Sequence, residues 1–227
     1  MYKYELHCHT GDVSRCGRVP ADEIVRLYKE KGYSGIVITD HYSPMTFPLK
    51  NQFSPEKAMD LYLSGYKKAQ KAAGEGFTVL LGMELRFYCT VNDYLLYGVT
   101  EEFLRSCGNL LGLYPEKASR LAHENGMIFF QAHPYRAFIT RANPALLDGT
   151  EAYNSKDTPQ NMARVCEWAA KNELKYMISG SDFHTVKQLA RGGIATEKPI
   201  LSNDDLLTVI KSGEYKLIKD GIICERE

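Results

Sequence analysis

Five short segments of this chain carry side chains of the types that bind metal ions, and they include five of its six histidines. The segments are His7-Cys8-His9, Asp40-His41, Glu84, His133 and Asp182-Phe183-His184. Imidazoles and carboxylates gathered in one place are suitable ligands for zinc, manganese or iron. Each segment lies where a predicted β-strand ends, so the sequence predicts a polynuclear metal site at the strand ends.

Two of these segments place potential ligands two residues apart. Such residues point to the same side of a strand, so His7 and His9 are predicted to face one point, with Cys8 in the opposite packing layer. Asp182 and His184 repeat this spacing. A single His-x-His pair also occurs as two hydrogen-bonded histidines on a polar loop, so the prediction depends on all five segments together.

Two of the other segments leave alternatives open. Glu84 is predicted to bridge two metal ions through its two oxygens, and the alternative is an ion pair with Arg86. Asp40 and His41 are adjacent, so only one of them can point inward from a regular strand. We favour His41 as the ligand and Asp40 as an acceptor behind a ligand or as a structural cap.

The remaining histidines are assigned from their neighbours in the sequence. His133 precedes Pro134, which predicts an extended backbone as the chain leaves its strand. His123 lies near the predicted C-terminal end of a helix, where the helix dipole favours a cation. It is predicted to be a surface residue outside the site.

Short apolar strands alternate along the chain with helices, one of which is predicted from Ser54 to about Ala73. This alternation predicts an α/β fold with a parallel sheet, and seven or more such units suggest a closed or nearly closed barrel. The active site of a β/α barrel lies at the C-terminal ends of its strands, where the candidate ligands fall. No repeat or linker is evident, so residues 1–227 are predicted to form a single domain.

Composition limits the classes of function. Lysine plus arginine equals aspartate plus glutamate at 28 each, which gives no general attraction to nucleic acid or to an anionic membrane. No nucleic-acid-reading element, membrane span or signal peptide is evident. The six cysteines contain no CxxC pair and are predicted to be reduced thiols, so a cytoplasmic enzyme is expected. The oligomeric state is left open.

In this order, the motifs resemble those of the PHP superfamily, named for its polymerase-associated and histidinol phosphatase members. The resemblance extends from residue 5 to about residue 196. The matching residues are His7-x-His9, Thr39-Asp40-His41, Gly-x-Glu84, Ala-His133-Pro134, Ser181-Asp182-x-His184 and Glu-x-Tyr-Asn at 151–154. The resemblance implies a distorted TIM-like β/α barrel, usually of seven strands, two or three divalent metal ions (zinc, manganese or iron), and hydrolysis of phosphate esters.

The resemblance also implies how the ligands divide among the ions. One ion would be held by His7, His9, Glu84 and Asp182, a second by His41 and His184, and a third by His133 with the bridging Glu84.

The sequence departs from the family pattern at two places. A position shortly after His9, often acidic or histidine in the family, is Arg15 here, so this ligand is either absent or supplied by Asp12. The stretch 93–100 lacks a histidine that many members have, so two ions are as compatible with the sequence as three.

The predicted activity is a metal-dependent phosphoesterase acting on a small phosphorylated molecule. The chain has no Gly-x-Ser-x-Gly motif, which would carry a serine nucleophile. A hydroxide that bridges the metal ions is therefore expected to attack phosphorus in line. Asp182 and His184 are the candidates for proton transfer, but their expected role as ligands leaves that assignment open. The alternatives are a metallohydrolase of amides or lactones, a histidinol phosphate phosphatase and a non-catalytic metal-binding module.

Three arginines are predicted to bind phosphate, because a planar guanidinium matches two phosphate oxygens. They are Arg136, three residues after His133, and Arg15 and Arg18, on the loop after the first strand. The alternative for each is a solvated surface arginine. Substrate identity, and the choice between monoester and diester, depends on loops such as 46–53 and 136–143.

Overall fold

The computed structural model describes residues 1–47 and 54–225, and it shows a mixed α/β fold. Its strands are β1 (Tyr2–Cys8), β2 (Gly35–Ile38), β3 (His41–Tyr42), β4 (Thr78–Leu81), β5 (Met83–Leu85), β6 (Tyr94–Tyr97), β7 (Ile128–Gln131), β8 (Gly149–Asn154), β9 (Tyr176–Gly180), β10 (Gly192–Thr196), β11 (Lys216–Lys219) and β12 (Ile222–Cys224). They form two six-stranded sheets, one in the order β12-β11-β10-β1-β2-β4 and the other in the order β3-β5-β6-β7-β8-β9.

Seven α-helices connect or cover these strands within the described residues. They are α1 (Ala21–Glu30), α2 (Pro55–Tyr62), α3 (Ser64–Ala73), α4 (Glu101–Ser106), α5 (Pro115–Glu124), α6 (Pro159–Lys171) and α7 (Asn203–Ser212). The single helix predicted from Ser54 to Ala73 is thus two helices that meet at Leu63. None of the helices described is long and apolar enough to cross a membrane.

The helix starts follow local capping chemistry. The side chain of Thr158 accepts a hydrogen bond from the Asn161 amide at the start of α6, and Pro159 occupies the first turn. Ser202 forms a capping box with Asp205 at the start of α7. In α1, Asp22 and Glu23 occupy the first turn, where the helix dipole favours negative charge.

The strands are not all parallel, and the prediction of a wholly parallel sheet was wrong. β1, β2 and β4 are parallel, as are β7, β8 and β9, but β6 is antiparallel to both of its neighbours. The connection from β5 to β6 spans only residues 86–93, which is too short for the crossover that a parallel pair requires. Asp220 and Gly221 join β11 to β12 with φ of 50° and 80°, as a tight hairpin turn demands.

The chain continues from the first sheet into the second at two adjacent places. β2 pairs with β4 up to Ile38 and Leu81, and a few residues later His41 pairs with Glu84 in β3 and β5. An isolated parallel bridge between Cys8 and Phe183 links β1 to the segment after β9. Among the described strands these pairings form two sheets and do not close into a complete barrel.

Apolar side chains fill the layers around these strands, and the polar site lies between them. Cys8 and Phe183 pack in one such cluster with Ile36 of β2 and Tyr28 of α1. Cys8 lies between His7 and His9, and Phe183 lies between Asp182 and His184. In both motifs the middle side chain therefore points into the apolar core, as the strand period predicts.

Candidate metal centre

The seven predicted ligands converge at the C-terminal ends of β1, β7 and β9 and at β3 and β5. His7, His9 and Glu84 have no solvent exposure, and Asp182, His133 and His184 are also buried. The side chain of His41 retains 13% exposure. Residues that are far apart in sequence thus form one buried cluster of imidazoles and carboxylates.

Glu84 lies at the centre of this cluster. Its Oε1 is 3.2 Å from His7 Nε2 and 3.1 Å from His133 Nε2. Its Oε2 is 3.3 Å from His9 Nε2 and 2.7 Å from His41 Nδ1. Each carboxylate oxygen therefore faces two imidazoles, an arrangement suited to a bridging ligand.

The alternative ion pair between Glu84 and Arg86 is not formed. Arg86 Nε instead donates to Asp93 Oδ1 at 2.6 Å. Asp93 is a candidate ligand that the sequence reasoning missed, since it groups with His41 and Glu84 within metal-binding reach. Asp93 lies directly before β6, in the stretch 93–100 that lacks the expected histidine. Its signal in the sequence was this position next to β6, the strand that follows Glu84.

Three imidazoles form a second group beside Glu84. The ring of His9 is centred 4.2 Å from that of His41 and 4.2 Å from that of His184. One nitrogen from each of the three rings falls within 4.8 Å of the others, close enough to hold a single ion.

Four polar atoms of the cluster are buried without a hydrogen bond of acceptable geometry, although one of them, Glu84 Oε2, lies 2.7 Å from His41 Nδ1. They are His7 Nε2, His9 Nε2, Glu84 Oε2 and His133 Nδ1. An unsatisfied buried polar atom costs about 1–3 kcal/mol, so four at one place require an explanation. Divalent ions would satisfy atoms of this chemical type, and the residues present therefore fit a metal centre.

A carboxylate behind the cluster fixes the orientation of His7. Glu151 Oε1 lies 2.8 Å from His7 Nδ1, which leaves Nε2 directed at Glu84 and Asp182. Glu151 Oε2 accepts from the His133 amide at 3.1 Å. A ligating imidazole is usually held in this way by a carboxylate on its other nitrogen. Glu151 was noted in sequence only as part of Glu-x-Tyr-Asn, without a role.

Glu5 joins β1 to the segment that follows β9 at the site. Its Oε1 accepts from the amides of His7 at 2.9 Å and Ser181 at 2.8 Å, and its Oε2 accepts from Tyr28 at 2.7 Å. Burial raises the pKa of Glu5 to about 7, against the opposing effect of these hydrogen bonds. Glu5 was not selected from the sequence, because nothing in the pattern distinguishes a buried carboxyl from a surface one.

Asp40 is an acceptor behind the ligands, which is one of the two roles predicted for it. Its Oδ1 accepts from the Thr10 amide and from Ser14 Oγ, both at 2.7 Å. Ser14 Oγ also accepts from the His41 amide at 3.0 Å and is 3.4 Å from His9 Nδ1. Asp40 therefore positions His9 and His41 through Ser14.

Two candidate ligands have a left-handed backbone. φ is 31° at His133 and 49° at Asp182, a region that residues with a Cβ rarely adopt. The extended backbone predicted for His133 from Pro134 was therefore wrong. Such strain persists where the surroundings determine it, and here the Glu151 carboxylate holds the His133 amide.

Neighbouring charges set the protonation of the cluster. Burial raises the pKa of Glu84, but His41 and His7 outweigh this effect and hold it well below its usual range. Burial and the adjacent His41 and His184 hold the pKa of His9 well below its ordinary value, so His9 is neutral. Burial lowers the pKa of His41, but Glu84 outweighs burial and raises it to about 10.

The predicted phosphate-binding arginines occupy two different environments. Arg136 lies at the site, with Nη1 2.9 Å from Asp182 Oδ2 and Nη2 donating to Asn154 at 2.7 Å. The side chains of Arg15 and Arg18 are exposed on the loop after β1. Arg18 approaches the cluster through its backbone, since its amide donates to the His184 carbonyl at 2.8 Å.

Lys156 is a cation of the site that sequence reasoning missed. Its Nζ lies 2.7 Å from His184 Nδ1 and 3.2 Å from Asp182 Oδ1. Its only sequence signal is its place two residues after Glu-x-Tyr-Asn.

Asp12 does not replace the ligand expected near Arg15. Its Oδ2 accepts from the Ala21 amide at 2.7 Å at the start of α1, and its Oδ1 is 3.0 Å from Lys68 Nζ. Asp12 is therefore a helix cap. His123, predicted to lie outside the site, is exposed and contacts Asp148 at 2.8 Å.

The chain is similar to a known family and to several solved structures. A family model of the PHP domain matches residues 5–176. No curated protein sequence matches the chain. One similar structure is a two-domain protein from Bacteroides vulgatus that contains a predicted PHP-like metal-dependent phosphoesterase. It matches this chain with a TM-score of 0.64 at 19% identity. The match covers 98% of this chain and 66% of that protein, just under two thirds of its length.

Two further structures share the fold. The lesion-specific endonuclease from Pyrococcus furiosus has a TM-score of 0.64 at 17% identity, over 95% of this chain and 57% of that protein. An amidohydrolase from Chromobacterium violaceum has a TM-score of 0.52 at 14% identity, over 82% of this chain and 89% of that protein. At these identities the likeness establishes the fold alone.

Proposed function

The chain belongs to the PHP domain family, and on that premise we propose that it is a metal-dependent phosphoesterase acting on small phosphorylated molecules. The observation that carries the proposal is the convergence of seven candidate ligands around Glu84, with four buried polar atoms that lack a hydrogen bond of acceptable geometry. A cluster of this composition suits two or three divalent ions such as zinc, manganese or iron.

We propose the division of ligands that the family resemblance implies, which the observed distances support. His7, His9, Asp182 and Glu84 would hold one ion, while His41 and His184 would hold a second beside Glu84. His133, 3.1 Å from Glu84 Oε1, would hold a third together with Asp93, whose Oδ2 lies 3.7 Å from His133 Nε2. Bound ions of this kind lower the pKa of water and neutralise phosphoryl oxygens.

The cations beside Asp182 are suited to the substrate. Arg136 and Lys156 both contact the Asp182 carboxylate from the site's edge. Arg136 presents a planar fork that matches two phosphate oxygens, and Lys156 adds a point charge. Arg15 and Arg18 remain proposed contacts for more distant anionic groups. Asp182 and His184 remain the candidates for proton transfer, with Lys156 Nζ beside His184 Nδ1.

Other metallohydrolase reactions are the second candidate. The shared fold with an amidohydrolase favours a test on amides and lactones, which need the same activated water. A nucleic-acid substrate is supported less, since the endonuclease likeness is one of fold and the net charge here is zero. A cytoplasmic location is also proposed, supported by six cysteines that form no disulfide among the described residues. Two loops, 46–53 and 136–143, are expected to govern substrate choice. The structure describes residues 136–143, whereas residues 48–53 lie outside the described residues.

The deciding experiment measures phosphate release from a panel of phosphomonoesters and nucleotide diesters. The protein is assayed as purified, after chelation, and after restoring manganese, zinc or iron. A variant carrying His7→Ala and His9→Ala should be inactive, and His123→Ala, which changes an exposed histidine far from Glu84, should retain activity. Bound metal without turnover of any phosphate ester would overturn the proposal and direct attention to amides and lactones.

A further inference from the structure

Phe138 is the most exposed large apolar residue among those that the structure describes, and it lies on the loop after His133. It is 91% exposed. A single exposed apolar side chain is common on protein surfaces. Phe138 differs from such a residue in its backbone conformation and in the way its loop is attached to the candidate metal centre.

Phe138 is the third residue of a tight turn that begins at Arg136. The Ile139 amide donates to the Arg136 carbonyl at 3.1 Å, which closes the turn. φ of Phe138 is 69°, in the left-handed region. Glycine or asparagine is usual at the third position of a turn with this backbone, because a larger side chain is strained there. The turn favours glycine and solvent exposure favours a polar residue, so folding does not explain a phenylalanine at this position.

The first residue of the turn is fixed in the candidate metal centre. Arg136 Nη1 lies 2.9 Å from Asp182 Oδ2, and Arg136 Nη2 donates to Asn154 Oδ1 at 2.7 Å. The Arg136 amide donates to the carbonyl of the candidate ligand His133 at 3.1 Å. Because the two ends of such a turn lie within about 7 Å of each other, Phe138 is held close to Arg136, the side chain proposed to bind phosphate.

The loop is also fixed after the turn, by two buried amide side chains. Asn92 Nδ2 donates to the Thr140 carbonyl at 2.7 Å, and the Thr140 amide donates to Asn92 Oδ1 at 2.9 Å. Gln131 Nε2 donates to the same carbonyl at 2.6 Å, and the Ala142 amide donates to Gln131 Oε1 at 2.8 Å. The loop is therefore anchored on both sides of Phe138.

A second exposed apolar side chain lies on the neighbouring loop. Val91 is 52% exposed and directly precedes Asn92, which binds Thr140. Two loops joined by Asn92 thus carry apolar groups beside a centre of imidazoles, carboxylates and Arg136. This contrast fits a ligand that has one charged end and one apolar end.

We propose that Phe138 is a specificity-determining residue, which stacks on an aromatic leaving group of the phosphate ester while the phosphoryl group lies beside Arg136. The inference rests on the proposed function, since it names the class of alcohol that the ester carries. Hydrolysis breaks the bond between phosphorus and the ester oxygen, and water supplies the hydroxyl of the phosphate and the proton of the alcohol. Stacking of two aromatic rings changes affinity by about two- to tenfold beyond the effect of burial.

The first test compares benzyl phosphate with ethyl phosphate, which both release a primary alcohol and differ in the aromatic ring. The ratio of kcat/KM for benzyl phosphate to that for ethyl phosphate should be at least about three in the wild-type protein. It should fall by at least about threefold in Phe138→Gly and persist in Phe138→Tyr, which keeps an aromatic ring. A lower ratio in the wild-type protein, or an unchanged ratio in Phe138→Gly, would overturn the proposal.

Glu173→Gly is the matched control, because Glu173 also has a left-handed backbone, with φ of 52°. It lies beyond the C-terminal end of α6, whose N-terminal end is the one near Lys156. Both glycine variants should keep Tm within about 4 °C of the wild-type value, since glycine adopts this backbone readily. Only Phe138→Gly should change the ratio of kcat/KM, and an equal change in Glu173→Gly would contradict a specific role for the ring.

A binding measurement separates this inference from the proposed function. Benzylphosphonate and ethylphosphonate resemble the two esters but contain a P–C bond that is not hydrolysed. Calorimetry on the metal-loaded protein should show benzylphosphonate bound at least about threefold more tightly, with the preference lost in Phe138→Gly. That preference in a protein that hydrolyses no phosphate ester would leave the role of Phe138 standing while the proposed function failed. Hydrolysis with no preference for the ring, in turnover or in binding, would overturn this inference alone.

Discussion

At the scale of single residues, the site depends on side chains that hold the ligands as much as on the ligands themselves. Glu151 orients His7, and Asp40 acts through Ser14 on His9 and His41. These partners contribute no positive charge, so together with Glu84 and Asp182 they leave the cluster rich in carboxylates. Such an environment attracts cations and keeps the ligating atoms aimed at one point.

Replacing Glu151 by glutamine should weaken metal binding without removing a ligand. The neutral glutamine side chain lacks the negative charge with which Glu151 holds a proton on His7 Nδ1. Metal affinity should therefore fall by about 10–100-fold. Competition with a fluorescent chelator measures the change. Glu124→Gln, on the surface of α5, is the matched control, and equal affinities in the two variants would rule out this role for Glu151.

Metal binding should release protons. Without metal, the pKa of His41 is raised to about 10 and that of His184 to about 9, since Glu84 and Asp182 outweigh the effect of burial. Both imidazoles are protonated at pH 7.5 and must lose the proton to bind, so affinity should rise with pH until about pH 10. Calorimetry in buffers of different ionisation enthalpy should show about one proton fewer for His41→Ala than for His123→Ala.

At the scale of elements, the sequence correctly predicted the features that depend on strand periodicity, but not those that depend on the relative direction of neighbouring strands. His7, His9, Asp182 and His184 were predicted correctly to share a face, because the period of a strand fixes it. The antiparallel direction of β6 was not predicted, although the short connection 86–93 from β5 already excludes a parallel crossover. Asp93 and Lys156 were missed because their contacts arise only when separate loops meet.

Gly65 shows how helix α3 depends on the site. A Cβ there would collide with Thr10 Oγ1 and come within 2.9 Å of Asp40 Oδ2. Glycine to alanine normally stabilises a helix by about 1 kcal/mol. Gly65→Ala should instead destabilise the protein by about 1–3 kcal/mol, since the helix or the Asp40 network must move.

Urea denaturation measures this effect. Lys71→Ala, on the exposed side of the same helix, should change the free energy of unfolding by less than about 0.5 kcal/mol. A Gly65→Ala protein as stable as the parent would show that α3 can shift away from Thr10 without cost.

At the scale of the whole molecule, the candidate ligands tie both sheets and both ends of the chain to one point. A bound ion should therefore stabilise the fold as a whole, by about 2.7 kcal/mol when free metal is at 100 times Kd. Thermal unfolding should shift to lower temperature on chelation and recover when metal is restored. The His7→Ala and His9→Ala double variant should show little response, and a full response would place the stabilising ion elsewhere.

The bridge between Cys8 and Phe183 has a consequence for biosynthesis. His7 and His9 leave the ribosome about 170 residues before Asp182 and His184. At about 5–20 residues per second, the first histidines wait on the order of ten seconds or more for their partners. Until His184 has emerged, a nascent chain of this protein therefore cannot complete its metal centre, and any metal it captures before then is held by a partial set of ligands.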